Sequence, residues 1–357
     1  MSFSNIPHIT SGGLGRVDIL DCSSSGLVVY NSDGQTGALV KAVDGGFVWN
    51  QIQTGGCGIV CCDASGDNLV IYDYDSGHIL TSANGGVSAT TSTDATTKIG
   101  GGWVTQIAIS KDASVMLFAM STGTAAKLYK STNSGGSWSL IDSFTGNNYT
   151  GLAISADGTY ITTANYAGYI RKSSNHGGSF TSITAPGTQT WARPSMSADG
   201  AIQAFITDDT HLYISVDYGA TWALNSSITS LYFYQAVVVP NGSAIYVLAN
   251  DGTSYIQKSL DNGATWSNIT ELGNTNSWQT VTTSYSGSIV VVGYATDGVE
   301  TNYAAPTAYT LTGGGVGGGA ITAREIVRAF IFTGGAVAGG SLKTYQCYKG
   351  NKIFVRS

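Results

Sequence analysis

Short apolar runs broken by tight polar turns recur along the whole chain. Ile107-Ala-Ile runs into Ser-Lys-Asp112, Leu152-Ala-Ile into Ser-Ala-Asp157-Gly158, and Ser195-Met into Ser-Ala-Asp199-Gly200. Equivalent turns fall at Ser25-Gly26, Ser65-Gly66, Asn241-Gly242 and Ser286-Gly287, which makes seven. A run of this length bounded by Ser, Asn, Asp and Gly reads as a buried strand entering a hairpin. The turns recur at roughly 40–45 residues, the length of a four-stranded unit. The pattern therefore predicts an all-β chain of seven repeated four-stranded antiparallel sheets.

A second motif marks a different point in each repeat. Ser215-Val-Asp217-Tyr-Gly219-Ala-Thr221-Trp222 and Ser259-Leu-Asp261-Asn-Gly263-Ala-Thr265-Trp266 are its clearest copies. Weaker ones surround Asn133 and Asn175, and decayed ones surround Asp44 and Asn84. The side chain of Asp or Asn can accept backbone N–H groups and close a loop, while Gly supplies a positive φ. The Trp is expected to tuck into the core between sheets. In these residues the chain resembles the Asp-box, or BNR, repeat family of sialidase-like β-propellers. That resemblance implies a seven-bladed propeller with the boxes on the face opposite a sialidase active site, so Asp44, Asn84, Asn133, Asn175, Asp217 and Asp261 are expected to be structural.

The strand order follows as first strand, turn, second strand, top-face loop, third strand, box, fourth strand. Ser2-Phe-Ser-Asn-Ile6 is similar to the segment after a box, and Ile353-Phe-Val-Arg-Ser357 to the strand before one. The N-terminal segment is thus expected to pair in the last blade and close the ring, with the C-terminus as that blade's third strand. Three parts are expected: blades over residues 1–311, a Gly/Ala-rich insertion or arm over 312–340, and a hairpin over 341–357 that completes the last blade. The arm brackets Ala323-Arg-Glu-Ile-Val-Arg-Ala-Phe-Ile-Phe332 and reads either as an insertion flanked by Gly linkers or as a docking element or lid.

Composition narrows the function. Charged residues are 11% of the chain and the net charge is −6, which leaves no basic stripe for nucleic acid. No apolar run reaches transmembrane length, and the first residues lack the charged and apolar regions of a signal peptide. A virion or particle surface, or the cytoplasm, is the expected location. The five cysteines and four histidines show no metal-ligand spacing, so neither metal nor cofactor is expected. Cys22 and Cys62 fall where other repeats carry Ile109, Ile154 and Met196, and read as small buried hydrophobes.

The resemblance to sialidases implies three top-face Arg, a Tyr with a Glu partner, and an Asp acid. The Arg are Arg16, Arg171, Arg193, Arg324, Arg328 and Arg356, and Ala192-Arg193-Pro194 is only an echo of the family's signature. No catalytic set assembles. Asp33, Asp73, Asp75, Asp208, Asp209, Asp251 and Asp297 lie in top-face loops and could serve a glycoside hydrolase, but most sit in turn sequences. Aromatic residues recur where one blade enters the next: Trp103, Tyr149, Trp191, Phe233 and Trp278. With Arg193 they form a candidate ligand-binding ring on the top face, weighed against packing between blades. The expected function is a non-catalytic recognition or scaffold propeller that binds a glycan or a surface protein, as a surface-attachment component of a virion or phage particle. The alternatives are a glycoside hydrolase and an assembly module docking through its C-terminal arm.

Overall fold

The computed structural model describes residues 9–10, 17–33, 38–42, 50–53, 56–145, 149–207, 211–228, 233–249, 256–269, 277–295, 307–312, 342–346 and 352–356. Six sheets are each built from four consecutive antiparallel strands. Blade 1 comprises Val17–Cys22, Val29–Asp33, Leu39–Ala42 and Asn50–Gln53. Blade 2 comprises Cys57–Cys62, Leu69–Asp73, His78–Ser82 and Thr90–Thr91. Blade 3 runs through Trp103–Ile109, Met116–Ser121, Ala125–Ser131 and Ser139–Thr145. Blade 4 has Tyr149–Ile154, Ile161–Asn165, Ile170–Ser173 and Thr181–Ile183. Blade 5 has Trp191–Met196, Gln203–Thr207, Leu212–Ser215 and Ala223–Leu224. Blade 6 has Phe233–Val238, Ile245–Ala249, Gln257–Ser259 and Ser267–Asn268.

Contacts between the first strands of neighbouring blades make these the innermost strands. Apolar clusters fill the seams, as where Val70, Tyr72 and Ile79 of blade 2 meet Ile107, Phe118 and Trp138 of blade 3. This is the architecture of a β-propeller.

The expectation of seven equal blades needs correction: six have that form. The last repeat makes a composite sheet, in which Ser277–Thr283, Ile289–Ala295 and Thr307–Thr312 are joined by a two-residue strand, Ile9–Thr10. Ile9 lies opposite Ala308 and Thr10 opposite Thr307. The predicted third strand of that sheet, Lys352–Arg356, pairs instead with Leu342–Gln346 in a separate two-stranded sheet. Thr307–Thr312 takes the place because it follows Ile289–Ala295 after a much shorter connection, and the entropy lost on closing a loop grows with its length. The proposed pairing segment 2–6 and the arm at 313–340 lie outside the described residues.

The turns between first and second strands are linked in series by backbone hydrogen bonds. Ser24 N–H donates to Ala64 O at 2.8 Å, Ala64 to Lys111 at 2.9 Å, Asp112 to Ala156 at 3.2 Å and Ala156 to Ala198 at 2.8 Å. Ala198 donates to Pro240 at 2.6 Å, Asn241 to Tyr285 at 3.0 Å, and Tyr285 to Ser24 at 2.8 Å.

One element was not expected. Between blades 2 and 3 lies the helix Thr93–Ile99, capped by Ser92 and ended by Gly100 at φ 51°. The Ser92 hydroxyl donates to Gly135 O at 2.5 Å and accepts Trp138 Nε1–H at 2.9 Å, so the cap also fastens the helix to blade 3. No helix among the described residues is long and apolar enough to cross a membrane.

Candidate functional site

The box motifs fold as their residue types require. In the copy at Asp217, Oδ1 accepts Ser215 Oγ–H at 2.8 Å and the Thr221 N–H at 2.9 Å. Gly219 N–H donates to Ser215 Oγ at 3.0 Å. The loops at Asn84, Asn133, Asn175 and Asp261 repeat these bonds. Asp44 lies outside the described residues. The residue before the box Gly takes a left-handed φ at Ser134, His176, Tyr218 and Asn262, and Trp138 and Trp222 are buried. These side chains are consumed by loop closure.

At the opposite face the innermost strands begin, and each contains a β-bulge there. The register slips between Val17 and Ile19, Cys57 and Ile59, Val104 and Gln106, and Tyr149 and Gly151. It slips again between Ala192 and Ser195, Phe233 and Gln235, and Trp278 and Thr280. Bulges re-aim side chains and recur beside functional sites. They place Thr105, Thr150, Arg193 and Tyr234 at one level of four successive innermost strands. Arg193 takes a φ of 47°, and its guanidinium lies 5.6 Å from the centre of the Tyr234 ring.

The bulge explains where the predicted aromatic ring goes. Tyr149 and Phe233 immediately precede the extra residue and are buried between blades. The Tyr149 hydroxyl donates to Asp142 Oδ2 at 3.0 Å, and its ring meets Phe144 edge-on. Burial and the adjacent Asp142 carboxylate push the Tyr149 phenol well above its ordinary range. Trp191 is 0% exposed because the top-face loop of blade 4 covers it, and its Nε1–H donates to Gly168 O at 2.9 Å. Trp103 stands one position further from its bulge and is 45% exposed. Trp278 is in the first strand of the composite sheet, and its side chain is outside the described residues.

Other exposed rings escaped the sequence reading. Tyr74 in blade 2, and Tyr166 and Tyr169 in blade 4, stand in loops between second and third strands, on the same face as Trp103. The signal was present in Tyr166-Ala-Gly-Tyr169, two aromatics in a short loop before a box. The box-and-turn face also exposes apolar side chains (Leu27, Val87, Val216, Tyr218, Leu260, Tyr285), on blades 1, 2, 5 and 6 and the composite sheet, but these are mostly aliphatic. Of the candidate acids, Asp73 uses Oδ1 to accept the N–H groups of Asp75 and Ser76 at 3.0 and 3.3 Å, as a turn former does. Asp208, Asp209, Asp251 and Asp297 lie outside the described residues. No group of three or more His, Cys, Asp or Glu suited to a metal occurs among the described residues.

No protein-family model matches the chain, and no curated protein matches it in sequence. Solved structures do resemble it. YCF48 bound to D1 peptide aligns over 85% of this chain and 99% of its own, at 13% identity and a TM-score of 0.62. The GH74 xyloglucanase from Xanthomonas campestris aligns over 86% of this chain and 54% of its own, at 11% identity and 0.63. An oligogalacturonate lyase in complex with manganese aligns over 87% and 96%, at 9% identity and 0.61. At these identities the likeness is one of fold, and the fold is that of a β-propeller. Activity does not travel with it.

Proposed function

We propose that this chain is a non-catalytic recognition propeller that binds a glycan through the face carrying the bulges. The observation that carries this reading is the set of exposed rings Tyr74, Trp103, Tyr166 and Tyr169 on one face of three consecutive blades. Flat aromatic surfaces with nearby hydroxyl and amide groups suit the C–H faces and hydroxyls of sugars. Arg193 and Trp278 belong to the same surface in this proposal, whereas Tyr149, Trp191 and Phe233 act beneath it as packing. The box loops belong to the sialidase-like repeat type. The composite sheet acts as a seventh blade closed by the N-terminal strand, supported by the Tyr285 to Ser24 hydrogen bond and by contact between Ser277–Thr283 and Val17–Cys22. Such a protein would serve as an attachment component on a virion or other particle surface.

A second reading, recognition of a protein segment, draws support from the likeness to a propeller solved with a peptide bound. The glycoside hydrolase reading is weaker, since Asp73 is occupied in capping its own turn. A glycan array probed with the intact protein and with Trp103→Ala separates these. Specific binding that the variant loses at unchanged melting temperature is expected. An empty array with retained capture of an extended peptide would favour the second reading.

A further inference from the structure

We propose that the seam between blades 3 and 4 holds a pocket for one residue of a neutral sugar chain; this rests on the glycan reading above. Asp142, in the outermost strand of blade 3, reaches across the seam and accepts two hydrogen bonds from blade 4. One comes from the Tyr149 hydroxyl at 3.0 Å, and the other from Arg171 Nη2 at 2.6 Å. Tyr149 lies in the first strand of blade 4 and Arg171 in the third. Between them, in the second strand, Asn165 is the register partner of Tyr149 and Thr163 that of Arg171. Directly paired residues, and residues two apart on a strand, share one face of a sheet. Tyr149, Thr163, Asn165 and Arg171 therefore line a single surface, and Asp142 bridges its two sides.

Three polar atoms on that surface are buried and have no hydrogen-bond partner among the described residues: Thr163 Oγ1, Asn165 Oδ1 and Arg171 Nε. Thr163 is 0% exposed and Asn165 9%. Burying an unpaired polar group is costly, and native structures hold few of them. Three on one face of one blade point to a group that pairs with all of them. The remaining unpaired buried atoms among the described residues, on Asn31, Thr150, Gln257 and Thr283, lie singly in blades 1, 4 and 6 and in the composite sheet.

The chemistry of the three atoms specifies the ligand. The amide oxygen can only accept, the guanidinium Nε–H can only donate, and the hydroxyl can do either. The positive charge of Arg171 is already met by Asp142 at 2.6 Å, so the ligand need bring none. Adjacent hydroxyls of a neutral sugar offer this mixture of donors and acceptors. Asn165 ends its strand, and the loop that follows carries the exposed Tyr166 and Tyr169. In this proposal the buried polar atoms form the floor of the pocket, and the rings of that loop its rim.

The test is calorimetric titration of the full chain with cellohexaose, xylohexaose, mannohexaose and maltohexaose. Thr163→Val, Asn165→Ala and Tyr169→Ala are titrated beside it, with melting temperatures recorded for all. At least one hexasaccharide should bind, and each variant should weaken it about tenfold with melting preserved. Binding that Thr163→Val and Asn165→Ala leave unchanged would overturn the pocket while the glycan reading stands. Failure of all four neutral probes would also overturn it, and the glycan reading would then depend on the array alone. A charged oligogalacturonate that outcompetes the neutral chains would contradict the proposed ligand class.

Discussion

Single side chains in this molecule mostly close loops. In the loop at Asp217, partial burial pushes the carboxyl upward, and the hydroxyls of Thr221 and Ser215 with the Thr221 amide more than reverse this, holding it at about 2. A carboxyl with a depressed folded pKa stabilises the fold fully above its unfolded value of about 3.9, and that contribution is lost as pH falls toward 2. Asn does the same work at Asn133 and Asn175 without titrating. Asp217→Asn should therefore melt close to wild type at pH 7 and show a flatter dependence of Tm on pH between 4 and 2; a steeper one would contradict the assignment. Lys111 is of a different kind. Its ammonium donates to Cys62 O at 2.9 Å and Cys22 O at 3.4 Å and lies 3.6 Å from Asp21, joining three blades. Lys111→Met leaves two carbonyls and a carboxylate without that partner and should cost about 1–3 kcal/mol in denaturant unfolding, with Lys111→Arg recovering part. The sequence showed which residues close turns, because Ser, Asp, Asn and Gly at fixed offsets act locally. It could not show Lys111, whose partners are 49 and 89 residues away.

Elements were legible where they repeat and obscure where they do not. The alternation of apolar run and turn located the inner strands, and Cys22 and Cys62 are buried at the ends of theirs as read. The helix at 93–99 was missed although Ser92, Asp94, Lys98 and Gly100 are its cap, first-turn acid, last-turn base and left-handed stop; a period set by strands hid a seven-residue exception. The last sheet was misread for the opposite reason. Similarity of Ile353-Phe-Val-Arg to a strand before a box outweighed the nearer Thr307–Thr312, which no box motif follows. Because Leu342–Gln346 and Lys352–Arg356 pair only with each other among the described residues, a chain ending after residue 312 should keep its β-sheet circular dichroism. Its Tm should fall by less than about 3 °C, the shift that ~1 kcal/mol gives in a domain of this class. Collapse of the truncated chain would mean that the hairpin belongs to the blades.

At the scale of the whole molecule, the proposed function follows from how the two faces divide the work. Turns and boxes occupy one face and spend their polar groups on each other and on the links between blades. The other face begins each inner strand with a bulge and carries Tyr74, Trp103, Tyr166 and Tyr169. The candidate surface was only half legible in the sequence. Entry-strand aromatics marked the face that carries the bulges, but whether a ring faces the seam or solvent depends on its offset from a bulge and on the neighbouring loop, as Trp103 and Trp191 show. Neither is a local property of the chain. The most direct test is to titrate the tightest array glycan against wild type, the bulge-face variants Trp103→Ala and Tyr169→Ala, and the turn-face variant Tyr285→Ala. Loss of affinity in the first two with Tyr285→Ala unchanged is the predicted result. Retained affinity in the first two, or loss confined to Tyr285→Ala, would place recognition on the other face and contradict the account.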